Sequence, residues 1–124
     1  MAYGRSVSSS SANTSTPPSN ATNGNLSDAA KTLSNASPWS YLDLGSTKTV
    51  TGIKIYPCGG CVQPTNFSVY SWNGSGWILQ VNHPGAMQAN APESLTFPGP
   101  VQTQYVLIQI NGTSSLEVSE YQVY

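Results

Sequence analysis

The chain has 124 residues, of which 7% are charged, 4 Lys or Arg against 5 Asp or Glu, for a formal net charge of -1. So few cations neither displace the counterions of a nucleic acid nor hold an acidic lipid surface, so neither partner is expected. With 38% hydrophobic residues, 3 Trp and 7 Tyr there is apolar surface for one core, yet no apolar run approaches the ~20 residues that span a bilayer.

In chain order, residues 1–19 are rich in Ser, Thr, Asn and Pro, which alone is the composition of a linker. No second composition block or repeat follows, so residues 1–124 are expected to form one domain. Residues 26–33 carry the best helical pattern, a turn or two at most. After Trp39 the pattern alternates as in half-buried strands. Tyr41-Leu42-Asp43-Leu44 runs to a turn at Gly45, and Val50 begins a strand with Thr51, Ile53 and Ile55 on one face. Phe67, Val69 and Ser71 form one face of the next strand, and Trp77, Leu79 and Val81 one face of its partner. Asn73-Gly74 between them is a hairpin turn. Leu95-Thr96-Phe97 is short, residues 105–110 are apolar on both faces, and residues 118–124 close the chain. Strands every ~8–12 residues with Gly, Pro and Asn between them indicate a β-sandwich or jelly roll. Asn-x-Ser/Thr triplets at Asn13, Asn20, Asn25, Asn35, Asn66, Asn73 and Asn111 mark a polar surface.

The two cysteines form Cys58-Gly59-Gly60-Cys61, after a strand pattern and with no helix following. A redox pair needs a helix start, and zinc needs about four ligands where His83 is the only histidine. A small disulfide pinning a loop is the simplest account, with free thiols the alternative. A disulfide fits an oxidising, extracytoplasmic home. No secretory leader opens the chain, as expected of a cytosolic or already trimmed protein. His83 lies in a Pro/Gly-rich stretch with no carboxylate near it in sequence and reads as a solvated loop residue. No nucleophile elbow and no opposed carboxylate pair is evident, so no catalysis is expected.

A series of blocks carries a family resemblance. They are Ser8-Ser9, Ala21-Thr22-Asn23-Gly24-Asn25, Trp39-Ser40-Tyr41-Leu42-Asp43-Leu44-Gly45, Val50-Thr51-Gly52-Ile53-Lys54-Ile55-Tyr56, Asn66-Phe67-Ser68-Val69, Ser71-Trp72-Asn73-Gly74-Ser75-Gly76-Trp77, Gln104-Tyr105-Val106-Leu107-Ile108 and Ser119-Glu120-Tyr121-Gln122-Val123-Tyr124. Their order and spacing resemble the discoidin or coagulation-factor type C domain, most closely a family 32 carbohydrate-binding module, over nearly the whole chain. The resemblance implies an all-β, galactose-binding-like jelly roll of about five strands packed on three. It implies a non-catalytic module that binds an oligosaccharide or polysaccharide, often with a structural calcium ion. It further implies a secreted or cell-surface setting and a place in a larger multidomain protein, with no membrane insertion. A protein-interaction or adhesion sandwich without a sugar site is the alternative.

For calcium, the family places an Asp before the loop glycine, a hydroxyl residue five positions on and a Glu in the last strand. Here Asn23 stands at the Asp position, Asp28 at the hydroxyl position, and Glu120 at the Glu. Asn23, Asp28 and Glu120 side chains with the carbonyls of Asn20, Asn25 and Ser119 make an oxygen set of the kind calcium takes. For sugar, the family uses loops at one end of the sandwich, here about 32–38, 57–65 and 111–116. The His and Arg typical of galactose- and fucose-specific members are missing from them. Asn35, Ser37, Gln63, Asn111 and Ser115 are the polar candidates, but no aromatic falls in those loops. Trp39 and Trp77 read as core. Trp72, at a hairpin shoulder, is either a cross-strand packing residue or a stacking platform.

Overall fold

The computed structural model describes residues 3–10 and 17–124; the Asn13 triplet lies outside the described residues. The strands are β1 (Ser6–Ser9), β2 (Ala30–Lys31), β3 (Asn35–Ala36), β4 (Trp39–Tyr56), β5 (Thr65–Trp72), β6 (Trp77–Ala86), β7 (Glu93–Ile110), β8 (Thr113–Ser114), β9 (Glu117–Val118) and β10 (Glu120–Val123). A single 3-10 turn spans Pro18–Thr22. Among the described residues no helix is long and apolar enough to cross a membrane.

Two long strands build both layers. β4 and β7 pair antiparallel, with register shifts between Asp43/Lys48 and Val50/Gly52. Bulges of this kind bend a strand and increase its twist. The first half of β4 and the second half of β7 lie in the order β1-β4-β7-β5-β6. Their other halves join β10 through pairs such as Tyr121↔Ile55 and Ile53↔Leu95. The result is the expected jelly-roll sandwich, five strands on three. Four expected strands thereby become two.

The inward residues of both layers meet in one cluster, including Leu42, Leu44, Val50, Ile53, Ile55, Phe67, Val69, Val106, Ile108 and Tyr121. Each is at most 1% exposed. β4 lies close to its strand neighbours at Gly52: a Cβ there would stand 2.6 Å from the Leu95 carbonyl oxygen of β7. The N–H groups of Thr51 and Gly52 both donate to the Tyr124 carbonyl.

The structure corrects several local expectations. The 26–33 stretch is not helical. Asn23 Oδ1 accepts from Asn25 N–H and Asn25 Oδ1 from Ser27 N–H, both at 2.9 Å, so side chains take the bonds a helix would need. Ala30 and Lys31 then pair with Val118 and Glu117. Part of the linker-like N-terminal stretch is strand β1, held on β4 by the register Ser6↔Asp43 to Ser9↔Ser40.

His83 is not in a loop. It stands on β6, its ring stacked on Phe67 at 4.7 Å and its Nε2 2.8 Å from Glu93 Oε1, joining the edge of one layer to the other. Trp77 is not core either. Val69 pairs Val81 but Tyr70 pairs Leu79, leaving Gln80 as an extra residue. One extra residue reverses the faces beyond it. Val81 therefore points inward, and Trp77 outward at 38% exposure. Trp39 is likewise only half-buried, on the same outer face.

Candidate functional site

At one end of the sandwich the three expected loops converge. β3 pairs β8 through Asn35↔Ser114, and Ser37 N–H donates to the Gly112 carbonyl at 2.8 Å. Asn111 N–H donates to the Asn66 carbonyl, and Asn66 Nδ2 donates back to the Asn111 carbonyl. Glu117 ties the group together. Its carboxylate accepts from Val62 N–H at 3.0 Å and from the Ser115 hydroxyl, and lies 3.9 Å from Lys31 Nζ. The structure thus gathers Asn35, Ser37, Gln63, Asn111 and Ser115, but engages several of them in holding the loops. Gln63 Nε2 donates to the carbonyls of Cys58 and Cys61, which are disulfide-bonded with Cα atoms 5.4 Å apart. Asn111 Nδ2 donates to the Ser68 hydroxyl at 2.9 Å. Trp72 does not join this group. It ends β5, six residues beyond Asn66 and so roughly 20 Å along the strand.

The loop at residues 20–28 packs against β10. Glu120 is 3% exposed. Desolvation holds its carboxyl above the ordinary carboxylate range; the Gly24 N–H opposes this and the Asp28 charge adds to it. Gly24 N–H donates to Glu120 Oε2 at 3.1 Å, and Asn23 Nδ2 to Asp28 Oδ2 at 2.8 Å. The other oxygens, Glu120 Oε1 and Asp28 Oδ1, are buried without a hydrogen-bond partner. Two orphaned carboxylate oxygens fit a hard divalent cation, for which the Asn23 amide, now presenting its nitrogen to Asp28, would have to turn its oxygen inward. Among the described residues no three His, Cys, Asp or Glu side chains cluster, so amide and carbonyl oxygens must complete any such set. Asn20 donates its amide to the Ala29 carbonyl, and the Ser119 hydroxyl to that of Leu26, which fixes the loop.

The aromatic residues gather on the outer face of the five-stranded layer. Alternation places Trp39 and Tyr41 of β4 opposite Gln109 and Leu107 of β7, with Tyr70 next to Leu107 on β5 and Trp72 opposite Trp77 at the hairpin. Tyr41 is the hub: its ring centroid lies 5.8 Å from Trp39, 5.8 Å from Tyr105 and 6.0 Å from Trp77. Trp72 and Trp77 meet edge to face at 5.2 Å. Buried Thr103 fixes the hairpin end. Its hydroxyl oxygen accepts from Trp72 N–H at 3.0 Å and Tyr105 N–H at 3.2 Å. Trp39, Tyr41, Tyr70, Trp77, Leu107 and Gln109 enclose an open hollow of about 370 Å³. Its walls carry ring faces, phenol hydroxyls and one amide, and no charge. The sequence pattern hides this face, because Trp39 and Trp77 read as core residues. The two-residue spacing of Trp39 from Tyr41 on β4 sets Trp39 on the outer face, and the bulge at Gln80 sets Trp77 there opposite Trp72.

The F5/8 type C domain model matches residues 6–121. Among curated proteins compared by sequence, none matches. The solved structures similar to this chain include the lectin domain of lectinolysin complexed with Lewis B antigen, at TM-score 0.87 and 22% identity, covering 99% of this chain and 94% of that one. A family 32 carbohydrate-binding module of C. perfringens NanJ in complex with galactose has TM-score 0.83 and 23% identity, covering 96% and 92%. A chitosan-binding module from a chitosanase/glucanase of Paenibacillus sp. IK-5 has TM-score 0.84 and 19% identity, covering 99% and 96%.

Proposed function

The chain belongs to the F5/8 type C domain family, and on that premise we propose that it is a non-catalytic module that binds neutral carbohydrate. The observation that carries this reading is the hollow walled by Trp39, Tyr41, Tyr70 and Trp77 around the Gln109 amide. A pyranose presents an apolar face of C–H groups and an equatorial rim of hydroxyls. Ring faces stack on the first and amide or phenol groups bond the second. The uncharged walls favour neutral sugars over uronic acids or phosphorylated glycans. Several solved relatives are described as complexes with sugars, which supports the same class of ligand.

The remaining expectations join this proposal. Asn35, Ser37, Gln63, Asn111 and Ser115 form the rigid loop end, where a second polar contact with a glycan would be made without an aromatic platform. A calcium ion held by Asp28, Glu120 and Asn23 with the carbonyls of Asn20, Asn25 and Ser119 would neutralise two carboxylates and fasten the 20–28 loop to β10. A module of this kind acts by keeping a larger secreted or surface protein near its glycan, weak single contacts being multiplied by valency.

The test is a screen of the whole chain against immobilised neutral and acidic glycans, beside Trp77→Ala. Binding to neutral glycans that the variant loses is the expected result. Binding by neither protein, or equal binding by both, rejects the reading.

A further inference from the structure

The hollow around Gln109 is the first of three in a row. The second, about 220 Å³, is walled by Tyr41, Trp72, Trp77 and Tyr105. It shares Tyr41 and Trp77 with the first. The third, about 290 Å³, is lined by Trp72 and Tyr105 together with Asn73, Gln102 and Gln104. It shares Trp72 and Tyr105 with the second. The row follows the strands, from Gln109 to Gln102 on β7, a span of roughly 20 Å. Aromatic rings form the partitions and amides stand at both ends. The residues lining all three are uncharged.

We propose that this trough binds the interior of an extended, unbranched neutral polysaccharide, with one hollow for each of at least three successive sugar rings. The inference rests on the neutral-sugar reading above and adds to it the length and shape of the ligand. A single terminal sugar would need one enclosed pocket with polar groups around its whole rim. Here the hollows are open at the surface and continuous, and the shared rings give each sugar a face to stack on as the chain passes. The amide groups are spaced along the line rather than focused on one point. Gln104 Nε2 is held by Asp43 Oδ1 at 2.9 Å and Gln102 Nε2 by Thr49 Oγ1, so both present their carbonyl oxygens in fixed directions. An oligosaccharide needs all three hollows, whereas a lipid or an apolar peptide has no use for the amides at the ends.

The experiment is calorimetric titration of the whole chain with gluco-, manno-, xylo- and galacto-oligosaccharides of one to six rings. Gln102→Ala, an exposed residue in the third hollow, is the companion variant. It is chosen because it leaves the core untouched. For the series that binds, affinity should rise about fivefold per ring up to at least the third. Gln102→Ala should weaken the longer members and leave the single sugar unchanged. A monosaccharide that binds as tightly as the hexasaccharide, with no effect of Gln102→Ala, overturns the extended-chain proposal and leaves the sugar reading intact. Absence of binding to every series rejects both. A dimer of this chain that Trp77→Ala converts to monomer assigns the trough to a second copy and overturns the proposal as well.

Discussion

Tyr41 and Trp77 stand on strands three places apart, yet their ring centroids are 6.0 Å from one another. Neighbouring strands are about 4.8 Å apart, so β4 and β6 are separated by about 14 Å. The two side chains must therefore reach toward one another across β7 and β5. Together they stand between two hollows that both of them line. Trp77 is also held from the side by Trp72.

Trp77→Ala should remove this partition without disturbing the core, because the ring lies on the outer face and is 38% exposed. The expected outcome is a loss of about tenfold or more in glycan affinity, on the order of the value of a stacked aromatic. The melting temperature should fall by no more than a few degrees. Parallel titration and thermal melts check both. A collapse of stability with binding lost would assign the ring to folding instead.

Glu120 and Asp28 make a second prediction. Each has a buried oxygen without a partner, and desolvation already penalises the Glu120 charge. Removing calcium with a chelator should lower the melting temperature, and readdition should restore it. At 100 times the dissociation constant the ion would add about 2.7 kcal/mol. Glu120→Gln should abolish the response. A melting curve indifferent to chelator removes the ion from the description.

Tyr121 sets an alkaline limit. Its phenol bonds the Ser40 hydroxyl at 2.9 Å, and burial pushes its ionisation far above the usual tyrosine range. The unfolded chain releases that proton near pH 10 while the folded chain keeps it. A raised folded-state value means the stabilisation is complete below the unfolded value and declines as pH rises beyond it. Stability should fall steeply above about pH 10, and Tyr121→Phe should flatten the fall. At neutral pH the same variant should cost about 1 kcal/mol for the lost hydrogen bond. Denaturant melts from pH 7 to 11 measure both.

Gly52 tests the close approach of β4 to β7 and the chain's last residue. A methyl group there would stand 2.6 Å from a backbone carbonyl and 2.9 Å from the Tyr124 ring, so β4 or β7 must move. Gly52→Ala should destabilise by about 1–3 kcal/mol. Gly74→Ala, where nothing lies within 4 Å but φ is +96, should cost less and act only through the turn. Equal costs would show that the close approach is not limiting.

Much of the sandwich was legible in the alternation from Trp39 onward and in the blocks resembling the type C family. Period-2 patterning found the inward residues Leu42, Leu44, Phe67 and Val69. It failed where the count is broken: the extra residue Gln80 turns Trp77 outward, and nothing in the local composition announces it. Continuity of β4 and β7 was also hidden, because the bulges near Gly45 and Gly52 look like strand ends. His83 and Glu93, ten residues apart, meet because Glu93 opens the half of β7 that lies beside β10, across from the edge strand that carries His83. The hydrogen-bond engagements of the loop-end polar residues depend on Glu117 and Ser68, distant in sequence, and no local pattern shows them. The aromatic trough required knowing which face each ring takes, and that is decided by register.

All 3 tryptophans border the proposed trough, so their indole N–H groups report on it directly. The most direct measurement is a proton–nitrogen NMR titration of the chain with a neutral oligosaccharide, following the indole signals of Trp39, Trp72 and Trp77 beside the side-chain amides of Asn66 and Asn111. The expected result is a shift of all three indoles that exceeds any shift of the loop-end amides. Shifts confined to Asn66 and Asn111, with the indoles unchanged, would contradict sugar binding on the sheet face.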